Sequence, residues 1–254
     1  MDDAALLALA ADLTRRAGAA ILAVRARGFE TLRKEDASPV TAADHAAEAV
    51  IVEGLRAAAP GIAVVAEEEI AAGHLPDIGS EFWLVDPLDG TREFAALRDE
   101  FTVNIGLVRD GRAVLGTVGV PVYGELFLGQ VGRGAWKRTA AGEHAIRART
   151  PPPEGLHVFA SRSHGNDARL ASFLAGRPVA TVTNIGSALK ICRVAEGMGD
   201  LYPRFGRTME WDTAAPQAVL EAAGGAMRGL DGSEMLYGKP GWENSGFVCT
   251  GRPM

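Results

Sequence analysis

The sequence predicts a mixed α/β protein in which an α+β half precedes an α/β half. Three observations carry that expectation. Two helix-period segments open the chain, a run of short apolar stretches joined by tight turns follows, and helix-like and strand-like stretches alternate after residue 153. At 254 residues the chain is long enough for one large core or two closely packed halves.

Leu6, Leu9, Leu13, Ala17, Ile21 and Val24 recur at three- and four-residue steps, which predicts an amphipathic helix stopped by Gly28. The polar stretch Arg33–Ser38 leads to Pro39-Val-Thr41 and a second helix over about 44–58. Strand-like runs follow at 62–66, 82–86, 101–109 and 112–120, the last two joined by Asp110-Gly111, a two-residue hairpin signal. Glu125–Val131 and Ala135–Lys137 extend an antiparallel sheet. Pro151-Pro-Pro153 breaks the pattern and divides residues 1–150 from 151–254. Beyond it the expectations are a strand at 157–160, a helix at 167–175, a strand at 179–183 and a helix at 187–196. Leu201-Tyr202, a helix after Asp212 and the strand 247–250 complete the chain.

Hydrophobic residues make up 47% and charged residues 23%, and the net charge is −6. That balance argues against a nucleic-acid-binding surface, which is usually basic. Cys192 and Cys249 stand in apolar stretches without metal-ligand spacing, as expected of buried thiols in a reducing cytoplasm. The N-terminus lacks the order of a signal peptide, and no apolar run reaches the ~18 residues of a membrane span. A cytoplasmic protein with no integral membrane segment is expected.

Glu67, Asp86, Asp89 and Asp212 each stand where a strand-like run gives out or a helix begins. Carboxylates brought together in an acidic protein repel one another unless cations hold them, and Mg²⁺ takes such all-oxygen ligands together with substrate phosphates. Asp86-Pro-Leu-Asp89-Gly-Thr91 also reads as a turn with capping aspartates, and Asp212 as an ordinary helix N-cap. Glu67, first after its apolar run, is best placed to point inward, whereas Glu68 and Glu69 read as a solvated patch. Gly90 and Thr91 would open a turn or helix whose N–H groups can cradle a phosphate.

Thr41-x-x-Asp44 is by default a capping box. Its alternative role is to join the Thr91 hydroxyl in deprotonating a water. Gly186-Ser187-x-x-Lys190 reads either as a phosphate- or sugar-binding helix start or as plain capping. Arg204 reads as a surface arginine or as a contact to a second anionic group. Ser161-Arg-Ser-His164 offers polar groups at a strand end, and Trp83, Trp136 and Trp211 read as packing residues.

Glu67-Glu68, Asp86-Pro-Leu-Asp-Gly-Thr91, and Trp211-Asp-Thr-Ala-Ala215 with Ala223-Gly-Gly225 resemble the inositol monophosphatase superfamily of Mg²⁺-dependent, Li⁺-sensitive phosphatases. The likeness extends to its CysQ-type branch of 3′(2′),5′-bisphosphate nucleotidases. It lies in Lys34–Asp44, Asp99-Glu-Phe-Thr-Val-Asn-Ile105, Ser161–His164, Gly186–Lys190 and Leu201-Tyr-Pro-Arg-Phe-Gly206. The resemblance implies a layered αβαβα sandwich with the ion site between its halves. It implies Glu67, Asp86 and the Leu88 carbonyl at one Mg²⁺, Asp86, Asp89 and Asp212 at a second, and a third, weaker ion near Glu67. Asp44 and Thr91 would activate water, Gly90 and Thr91 would receive the cleaved phosphate, and Ser187, Lys190 and Arg204 would contact the nucleotide. The implied reaction removes the 3′-phosphate of adenosine 3′,5′-bisphosphate, giving AMP, in a monomer or homodimer that peripherally meets the inner membrane at most. An inositol or sugar monophosphatase, or a non-catalytic nucleotide sensor, would share the same acidic residues. Pro216 departs from the family's usual small residue, in what is expected to be a first helical turn, and residues 70–79 diverge.

Overall fold

The structure, a computed structural model, describes residues 1–33, 39–162 and 167–252. The polar stretch 34–38, and with it Ser163 and His164, lies outside the described residues. The first half runs α1 (Asp3–Arg27), β1 (Thr31–Arg33), β2 (Pro39–Thr41), α2 (Ala42–Ala58), β3 (Ala63–Ala66), α3 (Glu67–Ala71), β4 (Glu81–Asp89) and α4 (Thr91–Ala95). It continues with β5 (Thr102–Arg109), β6 (Arg112–Val120), β7 (Glu125–Gln130), β8 (Gly134–Thr139) and β9 (Gly142–Ile146). The second half runs β10 (Leu156–Ser161), α5 (Asp167–Leu174), β11 (Val179–Ile185), α6 (Leu189–Ala195), β12 (Leu201–Arg204), β13 (Thr208–Met209), α7 (Glu210–Ala222), β14 (Ala226–Gly229), β15 (Glu243–Asn244) and β16 (Phe247–Thr250).

Strands β3 to β9 form a seven-stranded sheet in chain order, parallel only between β3 and β4. Its strands alternate faces with the period of two that a pleat imposes. Trp83 and Val85 of β4 join the core under α1 and α2, while Phe82 and Leu84 pack with Trp211, Ala214 and Ala218 of α7. The second sheet, ordered β11-β10-β12-β16-β14, packs Phe159, Tyr202, Phe247 and Cys249 against α6 and the far side of α7. Helices α1/α2, a sheet, helices α6/α7, a second sheet and α5 are the layers of an αβαβα sandwich. Pro151–Pro153 falls between the last strand of one sheet and the first strand of the other.

Both opening helices form as their periodicity predicts. Gly28 at φ 83° ends α1, and the Thr41–Asp44 capping box starts α2. Asp110 and Gly111, at φ 50° and 74°, make the predicted two-residue turn between β5 and β6. Cys192 and Cys249 are buried thiols. Among the described residues no helix is long and apolar enough to cross a membrane.

Four expectations need correction. The strand expected to stop at residue 86 continues to Asp89. The helix expected from Ser187 begins at Leu189, because Ser187 takes a left-handed φ of 51° that no helix residue can have. Helix α7 begins at Glu210 with Met209 as its N-cap, so Asp212 is its third residue, accepting the Met209 N–H, rather than the N-cap itself. Pro216 is therefore the seventh residue of α7, beyond the first turn.

One feature of the large sheet fixes where α7 lies. Gly106, Gly116 and Gly129 of β5, β6 and β7 are in register across three strands. A Cβ on Gly116 would lie 2.3 Å from the Ala215 carbonyl oxygen, and one on Gly129 2.4 Å from Val219 Cα. Only hydrogen fits beneath the helix, so α7 rests directly on the strand backbone. A Gly116→Val substitution is expected to lower stability by about 1–3 kcal/mol, the usual cost of overpacking. Denaturant unfolding measures it, and an unchanged midpoint would contradict the packing described.

Candidate functional site

The acidic residues converge where β3, β4 and α7 end or begin. Asp86 and Asp89 are three apart, so a regular strand would point them to opposite faces. In β4 they pair with Asn104 and Thr102 of β5, which are only two apart, so one extra residue is inserted. This bulge at Pro87-Leu88 returns both aspartates to one face. Proline suits the position because its missing N–H is not demanded by the disrupted ladder. The two side chains are thus gathered by a bulge within the strand, not by a turn after it.

Each aspartate has one oxygen held by the backbone. Asp86 Oδ1 accepts from the Leu88 N–H at 3.0 Å, and Asp212 Oδ2 from the Met209 N–H at 2.9 Å. Asp89 Oδ2 accepts from the Ala188 N–H and, at 3.4 Å, from the Thr102 hydroxyl. Asp86 Oδ2, Asp89 Oδ1 and Asp212 Oδ1 carry no hydrogen bond among the described residues. Burial, then Glu67, Asp89 and Asp212, pushes Asp86 well above the usual carboxylate range. Burial also raises Asp89, with the Lys190 charge and the Ala188 N–H opposing it. Asp212 is pushed up to about 8 by burial and then by Asp89 and Glu67. Each of the three aspartates thus has the Glu67 charge as a neighbour.

Among the described residues no three His, Cys, Asp or Glu side chains form a ready-made cage around one point. The donor set nevertheless fits a hard divalent cation. It offers a buried Asp86 and the half-buried Asp89 and Asp212, each with an unengaged oxygen, beside Glu67, and a positive charge among them would reverse the repulsion that helps raise their pKa values. The Leu88 carbonyl, at the bulge, accepts the Thr91 hydroxyl at 3.1 Å.

The Thr91 hydroxyl also lies 3.1 Å from Asp44 Oδ1, so two residues 47 positions apart do meet. Asp44 Oδ2 is taken by the Thr41 N–H at 2.7 Å and the Thr41 hydroxyl at 2.8 Å. The capping box therefore clamps one oxygen of Asp44 and aims the other at Thr91. Gly90, at φ 95°, lets α4 start at Thr91 directly beside Ser187.

These groups line a cleft of about 310 Å³ whose walls include Glu67, Asp89, Gly90, Thr91, Ser187, Lys190, Arg204 and Asp212. Lys190 is buried, and its Nζ donates to the Ile185 carbonyl at 3.1 Å and the Ser187 carbonyl at 2.6 Å. Burial and the nearby Arg204 lower it to about 8, against the pull of Asp89. Lys190 thus holds the turn whose Ala188 N–H reaches Asp89, a task its sequence spacing did not suggest. The Ser187 hydroxyl accepts from the Leu189 N–H at 3.3 Å. Arg204 spends Nη1 on Ser161 at 3.3 Å and Nη2 on the Arg207 carbonyl at 3.1 Å, while its buried Nε has no partner.

Glu68 corrects the expectation of a solvated acidic patch. It is buried, and its N–H donates to Glu48 Oε2 at 2.7 Å, while Glu69 pairs with Arg56. Glu48 stands one helical turn after Asp44 in α2, a spacing that could have flagged it. Burial pushes Glu48 up to about 7.

Asp86, Asp89, Asp212 and Glu48 hold protons in the folded chain that an unfolded chain releases near pH 4. Their contribution is therefore complete below that range and is lost as pH rises toward 8. Asp3 and Asp200, held low, with Arg109 and Arg149 favouring their charged forms, contribute fully above pH 5 and do not offset this change. Chelator-treated protein should lose stability steadily between pH 5 and 8 in urea unfolding, and a flat profile would contradict the cluster.

The inositol monophosphatase family model matches residues 2–251. The 3′(2′),5′-bisphosphate nucleotidase CysQ of Salmonella typhimurium is 44% identical over 241 residues, covering 94% of this chain and 96% of that protein. Its Escherichia coli K12 counterpart is 43% identical over 227 residues, covering 89% and 91% of the two chains. The crystal structure of CysQ from Bacteroides thetaiotaomicron superimposes with a TM-score of 0.82 at 31% identity, covering 98% and 97% of the two chains. With these matches spanning both sheets and every element of the cleft, the chain belongs to the inositol monophosphatase family.

Proposed function

We propose that this chain is a 3′(2′),5′-bisphosphate nucleotidase that removes the 3′-phosphate of adenosine 3′,5′-bisphosphate to give AMP and phosphate. The single observation that carries the substrate choice is Arg204, whose guanidinium lines the same cleft as the carboxylates. A guanidinium in a cleft wall suits a second anionic group better than a neutral polyol. CysQ relatives covering nearly the whole chain bear the matching name.

Glu67, Asp86 and the Leu88 carbonyl would hold one Mg²⁺, and Asp86, Asp89 and Asp212 a second, with a third ion near Glu67. When bound, such ions stabilise charge on the phosphate and make water acidic enough to attack at neutral pH. The chain's own part is positional. The Thr91 hydroxyl has one proton and two acceptors, Asp44 Oδ1 and the Leu88 carbonyl, both at 3.1 Å. When that proton points to Asp44, the Thr91 oxygen presents a lone pair to the cleft, and water can donate to it. The water's proton then passes through Thr91 to Asp44 Oδ1, the oxygen the capping box leaves open. Gly90 and Thr91 receive the phosphate to be cleaved, Arg204 and Ser187 the remainder of the nucleotide, and Lys190 braces the turn between them. Residues 1–150 and 151–254 act as one catalytic unit, since Asp212 and Arg204 come from the second segment.

A phosphate-release panel of adenosine 3′,5′-bisphosphate, inositol 1-phosphate and fructose 1,6-bisphosphate, with and without Mg²⁺ and Li⁺, tests the reading. Preference for either sugar phosphate would overturn it. Arg204→Ala should raise KM for the bisphosphate roughly tenfold or more while sparing adenosine 3′-monophosphate, as loss of a charge-assisted bond implies. Asp89→Asn should cut turnover by about 10²-fold or more, and near-normal Mg²⁺-dependent activity would remove Asp89 from the ligand set.

A further inference from the structure

Asn104 belongs to the Asp99–Ile105 segment singled out in the sequence, and no step described above uses it. It is fully buried in β5, and neither its Nδ2 nor its Oδ1 has a hydrogen-bond partner. Buried amides are almost always paired, and an unpaired one weakens the fold. An apolar side chain of the same size would avoid that cost, as Val103, Ile105 and Leu107 do on the opposite face of the same strand.

Its position shows what the amide faces. Thr102, Asn104 and Gly106 share one face of β5 by the period of two, and Gly106 abuts Ala214 and Ala215 of α7. Asn104 therefore points into the space between the sheet and the helix that carries Asp212. Across the bulge, Thr102 is in register with Asp89 and donates to it at 3.4 Å, while Asn104 is in register with Asp86. Side chains directly opposite across an antiparallel pair have Cβ atoms about 4.5–5.5 Å apart. Since Nδ2 makes no direct bond, that separation suits an Asn and an Asp linked through one water. Asp86 Oδ1 is already held by the Leu88 N–H, and among the described residues Oδ2 has no protein donor.

We propose that Asn104 is a positioning residue for Asp86, its Nδ2 donating through a bridging water to the Oδ2 side of the carboxylate so that Asp86 stays aimed at the cleft when a divalent cation binds. Thr102 and Asn104 are then equivalent supports, one behind each aspartate of the bulge. The inference rests on the reading of Asp86 as a Mg²⁺ ligand.

The test separates metal affinity from folding. Asn104→Leu and Asn104→Ala both remove the amide, and the alanine variant cannot overpack. Calorimetric titration with Mg²⁺ should show affinity lowered about tenfold or more in each, the usual effect of losing a residue that orients a ligand. The metal-free unfolding midpoint of Asn104→Leu should equal or exceed the parent's, because an unpaired amide is gone. At saturating Mg²⁺, KM for the bisphosphate should stay within twofold of the parent value. Mg²⁺ affinity within twofold of the parent in the folded variants would overturn the role of Asn104. A parent protein that binds no Mg²⁺ would instead overturn the ligand assignment on which it rests.

Discussion

Like charge held at close range in a dry place is the constraint around which the rest of this molecule is arranged. Asp86 is buried and Asp89 and Asp212 are half-buried beside it with Glu67 alongside, and desolvation is the largest influence on each aspartate. Nothing in chain propensity favours such a cluster, so other features must hold it. The bulge in β4 turns two aspartates to one face, and the glycine stripe of β5 to β7 lets α7 bring the third down onto the sheet. Backbone N–H groups from Leu88, Ala188 and Met209 each hold one carboxylate oxygen, which fixes orientation while leaving a second oxygen for a ligand.

The cleft is also polarised. In the same cleft as the carboxylates stand Lys190 and Arg204, and the Arg204 charge disfavours that of Lys190. Lys190 is satisfied by two carbonyls of the turn that precedes α6, whereas Arg204 forms part of the cleft wall beside Ser161 and Arg207. The two cations therefore have different work. One stabilises a left-handed Ser187 and the turn that supports Asp89, and the other faces the open cleft.

The parts of this design that were legible in the sequence are those set by local chemistry. The leucine spacing of α1, the Thr41–Asp44 box and the Asp110-Gly111 turn are each decided within a few residues, and each forms as the spacing implies. The acidic positions were legible for a different reason, since carboxylates beside apolar runs are chemically out of place. What could not be read depends on register. Gly106, Gly116 and Gly129 look unrelated until β5, β6 and β7 pair, and the Pro87-Leu88 bulge is defined only against Thr102 and Asn104. Glu68 looked solvated because its partner, Glu48, lies twenty residues earlier in another helix. Asp212 looked like a cap because the true start of α7 is set by tertiary packing of Trp211 against Phe82 and Leu84.

Pro216 shows how that packing substitutes for local hydrogen bonding. At the seventh position of α7 it has no N–H to offer the Asp212 carbonyl four residues back, so the helix loses a bond beside the residue whose placement matters most. The first turn is instead tied from outside. Glu210 accepts the Gly238 N–H at 2.7 Å and the Lys239 N–H at 3.0 Å, and pairs with the Lys239 ammonium at 2.6 Å. Thr213 donates to the Glu210 carbonyl at 3.1 Å and accepts from Asn244 at 2.8 Å, while the Tyr237 hydroxyl reaches both Thr213 and Gln217. Apart from the bond between Thr213 and Glu210, these come from the segment 237–244, which crosses the start of the helix. A proline that would weaken an isolated helix is tolerated here because the helix start is a tertiary junction, and the same junction keeps Asp212 against the sheet.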